Sequence, residues 1–291
     1  MSTVTPDEAV TATNTHYELP PEIFRLFLDS RMKYSCGLFR DRDATLEQAQ
    51  LDKLTWVVED QLKLRPGQRL LDVGCGWGSL TLFAAQHHGV RVVGVTPSTP
   101  QRDHVLARAR ELGVEDLVDV RLGRFTAVDV GPGRFHGAAM LGSIVHMPDR
   151  VRVLADATRA LEPGGRVYVS ESTFRNAEVA RRFGGRPGTV YVGQEIFGFA
   201  DMVPVTDLLA AAEDAGLSLV SLTDLTAHYP PTIAAWADRV RDNRDAVDAV
   251  VPGTADRLLQ YFDVFLAAFG YTAKHYAFTA EKSRFGTAEV R

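Results

Sequence analysis

The sequence predicts an α/β fold: a mostly parallel sheet with helices on both faces and extra helical chain over one edge. Three observations predict it. From Arg69 onward, short apolar strands alternate with helical segments, the rhythm of parallel strands joined by helical crossovers. The strand RLLDVG runs directly into the glycine-rich turn Gly74-Cys75-Gly76-Trp77-Gly78 and then a helix. A second buried strand, VRVVGV, stops at Thr96-Pro97, completing a βαβ unit of the kind that holds nucleotides.

Residues 1–15 read as a flexible polar tail, and residues 16–291 as a single domain. Its first part, 16–65, is a helical prelude. PPEIFRLFLDS carries Ile23, Phe24, Leu26 and Phe27 at helical spacing. Thr45 and Gln48 suit a capping box, and Leu46, Ala49, Leu54, Val57, Val58 and Leu62 form one helical stripe behind it. Residues 66–173 are the core, with strands RLLDVG, VRVVGV, LVDVRLG, Gly137 to Leu141 and Arg166 to Ser170, and helices between them. Residues 174–204 are rich in Arg, Gly and Phe and keep no period, so they are expected to insert as a lid. Residues 205–291 resume with a helix and a strand, add helices around Ile233 to Val250 and Ala255 to Phe269, and close with a strand at Tyr276 to Glu281.

Composition excludes several classes. The 291 residues are 45% apolar, enough to bury one large core. The net charge of -5 and scattered basic residues argue against a nucleic-acid surface. No apolar run is long enough to span a bilayer, and the polar start lacks the pattern of a signal peptide. Integral membrane association is therefore not expected, and a cytoplasmic location is. The two cysteines, Cys36 and Cys75, sit in different motifs without metal-ligand spacing, so no metal is expected. Oligomeric state is left open, a homodimer being one option.

The glycine turn bounds the ligand. Its spacing is GxGxG, whereas dinucleotide folds use GxGxxG and an acid at the end of the second strand. Here that end is Thr96, and the acid Asp72 lies two residues before the glycines. A carboxylate there repels phosphate and suits a positively charged ligand. S-adenosylmethionine, with a sulfonium and an ammonium, is the natural candidate.

Asp72-Val73-Gly74-Cys75-Gly76-Trp77-Gly78 resembles the first motif of class I S-adenosylmethionine-dependent methyltransferases. HYELP, KYSCGLF, LDVGCGWG, GVTPSTPQ, AHYPPTIAAW and GYTAKHYAFTAEK, in this order from about His16 to Lys282, resemble the cyclopropane fatty acid synthase and mycolic acid methyltransferase family. That resemblance implies a Rossmann-like class I methyltransferase fold with a seven-stranded, mostly parallel sheet and an α-helical lid. It implies a cofactor site in which Thr96 and Gln101 meet the ribose, with Pro97 and Ser98 between them. Tyr34 and Ser35 would hold the methionine carboxylate. Gly123 and Arg124 would lie beside the adenine, Arg124 standing where the family has Trp. Asp72, Gly74, Cys75, Gly76, Phe125 and Leu141 complete the expected cofactor set.

For the chemistry, the family places a bicarbonate among a Glu after the fourth strand, a His after the fifth, a Tyr and the YSC cysteine backbone. Here Val145 stands for the Glu and Ser170 for the His, whereas His146, Tyr229, Cys36 and Tyr17 are kept. His146 and Glu171 are the alternative proton acceptors. Phe183, Phe197 and Phe199 are expected in the lid, while Trp236, Phe262, Phe265 and Phe269 read as core. The resulting expectation is methyl transfer to a carbon or heteroatom of a hydrophobic small molecule, a specialised-metabolite intermediate. Two alternatives stand beside it: a cyclopropane synthase or mycolate-type methyltransferase acting on an acyl chain, and a cofactor-binding cyclase without net methyl transfer.

Overall fold

A computed structural model describes Thr5, Glu8, Ala9 and residues 19–283, apart from the side chain of Glu195. Tyr17 lies outside the described residues, as do most of HYELP and of the N-terminal tail. The prelude holds α1 (Pro21–Phe27) and α2 (Leu46–Thr55), the latter running on as a π-helical turn, Trp56–Gln61. Thr45 caps α2 as expected, its hydroxyl accepting from the Gln48 amide at 3.2 Å.

The sheet begins with β1 (Arg69–Val73), α3 (Ser79–His88), β2 (Arg91–Thr96), α4 (Thr99–Glu111) and β3 (Val118–Leu122). It continues with β4 (Phe135–Leu141), α5 (Arg150–Ala160) and β5 (Leu161–Phe174). After β5 the chain leaves the sheet as α6 (Ala177–Phe183), α7 (Pro187–Val190) and a π turn, Tyr191–Ile196. Phe174 and Pro204 form a bridge where this excursion leaves and returns, so it is stapled at its base. Next come α8 (Val205–Asp214), β6 (Leu217–Asp224), α9 (Tyr229–Asp242), α10 (Arg244–Val250), α11 (Thr254–Ala268) and β7 (Ala273–Lys282).

The seven strands lie in the order β3-β2-β1-β4-β5-β7-β6. β1 to β5 are mutually parallel, and β7 is antiparallel to both neighbours. Strand periodicity divides the apolar side chains between the two faces. Leu70 and Val92 join the core beneath α2, α3 and α4. Leu71, Val73, Val93 and Val95 join the opposite core, with Val153 and Leu154 of α5 and Leu208 of α8. A third core, with Phe24, Phe27, Trp236, Tyr261 and Phe262, binds the prelude to α9 and α11.

Two expectations of the element reading are corrected. The helix expected over Ile233 to Val250 is broken at Asn243, whose side-chain amide donates to the carbonyls of Leu26 (3.1 Å) and Arg239 (2.9 Å). That cap ends α9 and turns the chain into α10. The strands expected at Arg166 to Ser170 and Tyr276 to Glu281 are longer, because each pairs antiparallel with the other from Arg166–Glu281 to Phe174–Ala273.

The turn after β1 is fixed by close approach. Gly78 has φ +81°, and a Cβ there would lie 2.6 Å from Val105 Cγ2 on α4. Gly78→Ala therefore combines left-handed strain with overpacking and is expected to cost about 2–4 kcal/mol, read as a lowered denaturation midpoint. A midpoint equal to that of the wild type would refute this account of α3–α4 docking.

Candidate active site

Two cavities meet over the carboxyl ends of β1, β2, β4 and β5. The first is walled by the glycine turn, the loops after β2, β3 and β4, and Met32 to Tyr34 of the prelude. The Gly74 and Cys75 amides donate to the Val95 carbonyl at 2.9 and 3.1 Å, pinning the turn to the neighbouring strand. Thr96 and Gln101, both buried on the wall, are joined by a 2.7 Å bond from Thr96 Oγ1 to Gln101 Oε1. That bond leaves the Gln101 amide nitrogen as the pair's donor. Ser98 caps α4 beside them. Pro97, Gly123, Arg124, Phe125 and Leu141 also line this cavity, as do Gly74, Cys75 and Gly76.

Two expected cofactor contacts, Asp72 and Ser35, and one expected catalytic residue, Cys36, lie elsewhere. Asp72 is buried off the cavity wall, where its Oδ2 accepts from Thr81 Oγ1 at 2.7 Å and ties β1 to α3. Burial raises its pKa, while the nearby Lys33 charge opposes the rise. Ser35 walls the second cavity instead, its hydroxyl 3.1 Å from Lys53 Nζ and its carbonyl accepting from Gln50. Cys36 lies on neither wall. Burial pushes its thiol up to about 12 against the opposing influence of Lys53, so it is not an activated nucleophile. Cys75 is likewise raised well above the usual thiol range, first by burial and then by the Asp72 charge.

The second cavity lies under the excursion after β5. Its walls include Phe183, Val192 and Phe197 from that excursion, with Trp236, Tyr261 and Phe265 from α9 and α11. Trp236 and Phe265 were expected to be core alone. Helical spacing identifies an apolar face without showing whether a neighbour or a cavity lies against it. Tyr34, Gly142 and His146 wall both cavities and mark where they join.

The two alternative proton acceptors stand on these walls, the part-buried His146 on both and the buried Glu171 on the second. His146 Nδ1 lies 2.7 Å from the Phe199 carbonyl, which can only accept, so Nδ1 carries the proton. The neutral ring then presents a lone pair at Nε2. Burial depresses its pKa to about 4, the Phe199 bond opposing this, so the imidazole is neutral at physiological pH. Glu171 stands at the chamber wall near the end of β5. Its Oε2 accepts from the Val145 amide (3.2 Å) and its Oε1 from the Ser172 amide (2.9 Å). Burial raises its pKa to about 7 against those bonds and the Arg150 charge. Tyr229 also walls this chamber, stacked on Phe269 at 4.6 Å and edge-on to His275 at 4.8 Å. Its hydroxyl pKa is pushed well up, mainly by burial, so it serves as a neutral phenol.

No group of three or more potential metal ligands occurs among the described residues. None of their helices is long and apolar enough to cross a membrane.

The family model described as mycolic acid cyclopropane synthetase matches residues 5–280. A probable fatty acid methyltransferase of Pseudomonas putida is 30% identical over 262 residues, covering 89% of this chain and 65% of its own length. The cyclopropane synthase MmaA2 of Mycobacterium tuberculosis superposes with a TM-score of 0.87 at 25% identity, over 97% of this chain and 100% of that one. The mycolic acid cyclopropane synthase CmaA1, solved with SAH and CTAB, gives 0.85 at 26% identity over 94% and 98%. The first cavity fits the same cofactor: Gly76 has φ +55°, and a Cβ there meets nothing within 4 Å, so its missing side chain leaves open space. Gly76→Val is expected to weaken S-adenosylhomocysteine binding at least about tenfold by calorimetry; unchanged affinity would move the cofactor elsewhere. The chain belongs to the mycolic acid cyclopropane synthetase family of S-adenosylmethionine-dependent methyltransferases.

Proposed function

We propose that this protein transfers the S-adenosylmethionine methyl group to a carbon or heteroatom of a hydrophobic small molecule, a specialised-metabolite intermediate, held in the second chamber. The observation that carries the proposal is the polar content of that chamber. Its wall is largely aromatic and aliphatic, with Val145 and Ser172 beside the single buried carboxylate of Glu171. Within the family resemblance, Val145 and Ser170 supply neither the acid nor the imidazole of a bicarbonate cage. The Val145 and Ser172 amides are engaged by Glu171. The chain thus carries its own anion where a bound one would compete for the same donors.

The cofactor supplies an electrophilic methyl on sulfur. The residues supply alignment and a dry environment, the terms that dominate methyl transfer to an activated nucleophile. His146 and Tyr34 border the junction through which the methyl passes. Glu171, with its pKa near neutrality, takes the proton that a carbon or heteroatom nucleophile releases. Tyr229 lines this chamber beside it. Phe183 and Phe197 exclude water from above.

A second reading draws on the same carboxylate. Cyclopropane formation on an acyl chain requires loss of a proton from a methylated cation, and Glu171 serves that step equally well. Incubating the protein with methyl-labelled cofactor and extract separates the two: label in a small apolar product supports methyl transfer, whereas label in cyclopropyl lipid supports the alternative. No labelled product from either pool would count against both.

The base assignment has its own signature. The ionised fraction of Glu171 grows as pH rises through about 7, so kcat/KM is expected to climb through that window and then level. Glu171→Gln should remove the climb and lower the plateau by about 10²–10⁴-fold. Stability runs the other way. Because the folded pKa lies above the unfolded one, the native state holds the extra proton, and stability falls as pH rises from the usual carboxylate range to about 7. Glu171→Gln should therefore raise the melting temperature at pH 8 more than at pH 5. A variant with an intact pH–rate limb would remove Glu171 from the chemistry.

A further inference from the structure

The prelude carries a buried cation that no motif assigned. Lys33 follows Met32, a non-glycine residue held at φ +54°, and precedes Tyr34. It is only 8% exposed, yet it is one of the residues that line the cofactor cavity. A buried ammonium is costly unless paired. Two carboxylates, Asp72 and Asp29, act on it electrostatically. Neither forms an ion pair with it within 4.0 Å among the described residues, and both have other donors. Asp72 Oδ2 accepts from Thr81 Oγ1 at 2.7 Å. Asp29 accepts from the Lys33 amide at 2.6 Å and from the Arg31 amide at 3.2 Å.

The neighbouring charges narrow the assignment further. Lys53 is also buried, but it is turned to Ser35 at 3.1 Å and does not reach the cofactor cavity. Asp29 and Asp72 are likewise off that wall. Of these four buried groups, Lys33 alone lines the cofactor cavity. The other strong base on the wall, Arg124, follows β3, which lies two strands from β1 in the sheet. It therefore stands at the far end of the cavity, beyond Thr96 and Gln101. Ser35, expected to meet the methionine carboxylate, is turned to the second chamber. Tyr34, the other residue expected at that carboxylate, lines the cavity but supplies a phenol, so the role of a cationic partner at the prelude end is open, and the cofactor brings one carboxylate.

We propose that Lys33 is the cation that binds the carboxylate of the cofactor's methionyl group. Asp29 and Asp72 oppose the effect of burial on the ammonium without forming an ion pair with it, so that binding completes a charge-assisted pair rather than displacing one. Cofactor entry then neutralises a buried charge, and cofactors lacking the carboxylate lose that contribution. The inference rests on the cofactor's identity and is independent of the substrate in the second chamber.

Calorimetry with two ligands tests it. S-adenosylhomocysteine has the carboxylate; 5′-methylthioadenosine keeps the adenosyl and thioether parts and lacks the amino-acid end. Lys33→Gln is expected to weaken S-adenosylhomocysteine by about 10–100-fold and leave 5′-methylthioadenosine within about twofold, the range of one charge-assisted contact. Equal losses for both ligands, or no loss for either, overturn the assignment. Lys33→Arg is expected to recover most of the S-adenosylhomocysteine affinity. If Lys33→Gln does not fold, the wild type still decides. It should bind S-adenosylhomocysteine at least about tenfold more tightly than its decarboxylated analogue, which retains the amine. Equal affinity for that pair overturns the proposal.

Discussion

The left-handed turn from Gly74 to Gly78 is the constraint on which the rest of the site depends. Its amides are bonded to β2, so β1 and β2 cannot separate at their carboxyl ends. Gly78 lets α3 start against Val105 of α4. Gly74 admits Ser143, whose hydroxyl donates to the Val73 carbonyl at 2.7 Å and thereby fixes the loop after β4. One turn thus sets the spacing of three loops, and those loops are the floor of the cofactor cavity. Side chains at these positions would do more than block a ligand. They would dismantle the geometry that brings Thr96, Leu141 and His146 to one wall.

Much of this was legible in the sequence because periodicity and turn chemistry are local. The alternation from Arg69 onward gave the sheet, and Thr96, Gln101, Gly123 and Arg124 all line the cavity to which their motif pointed. What was not legible depends on direction. Asp72 and Val73 are neighbours, but strand alternation turns the Asp72 carboxylate inward to Thr81, away from the ligand. Ser35 follows Tyr34 by one residue and reaches the other cavity. The chamber walls from 183 to 202 come from a segment with no period, so the sequence marked an inserted lid with Phe183 and Phe197 in it but not which of its residues would form the wall. Lys33 was missed for a different reason: a lone lysine in sequence looks like any solvated charge, and only tertiary packing buries it.

Burial acts with opposite sign on the groups that matter. It favours the neutral form of each, lifting Glu171 to about 7 and lowering His146 to about 4. One desolvated region therefore offers a carboxylate that can change protonation near neutrality beside an imidazole that cannot. Lys33 is shifted down by the same effect, and Asp72 and Asp29 restrain the shift.

The raised Cys75 thiol has a consequence of its own. Cys75 shares a wall with a ligand that carries an electrophilic methyl, and thiolates are the best sulfur nucleophiles a protein possesses. Were this sulfur ionised, each bound cofactor would be an alkylating agent aimed at its own host. Burial and the Asp72 carboxylate keep the proton on Cys75 across the working pH range. The carboxylate that the motif seemed to offer the ligand thus acts on the thiol beside it, adding to burial in disfavouring the thiolate.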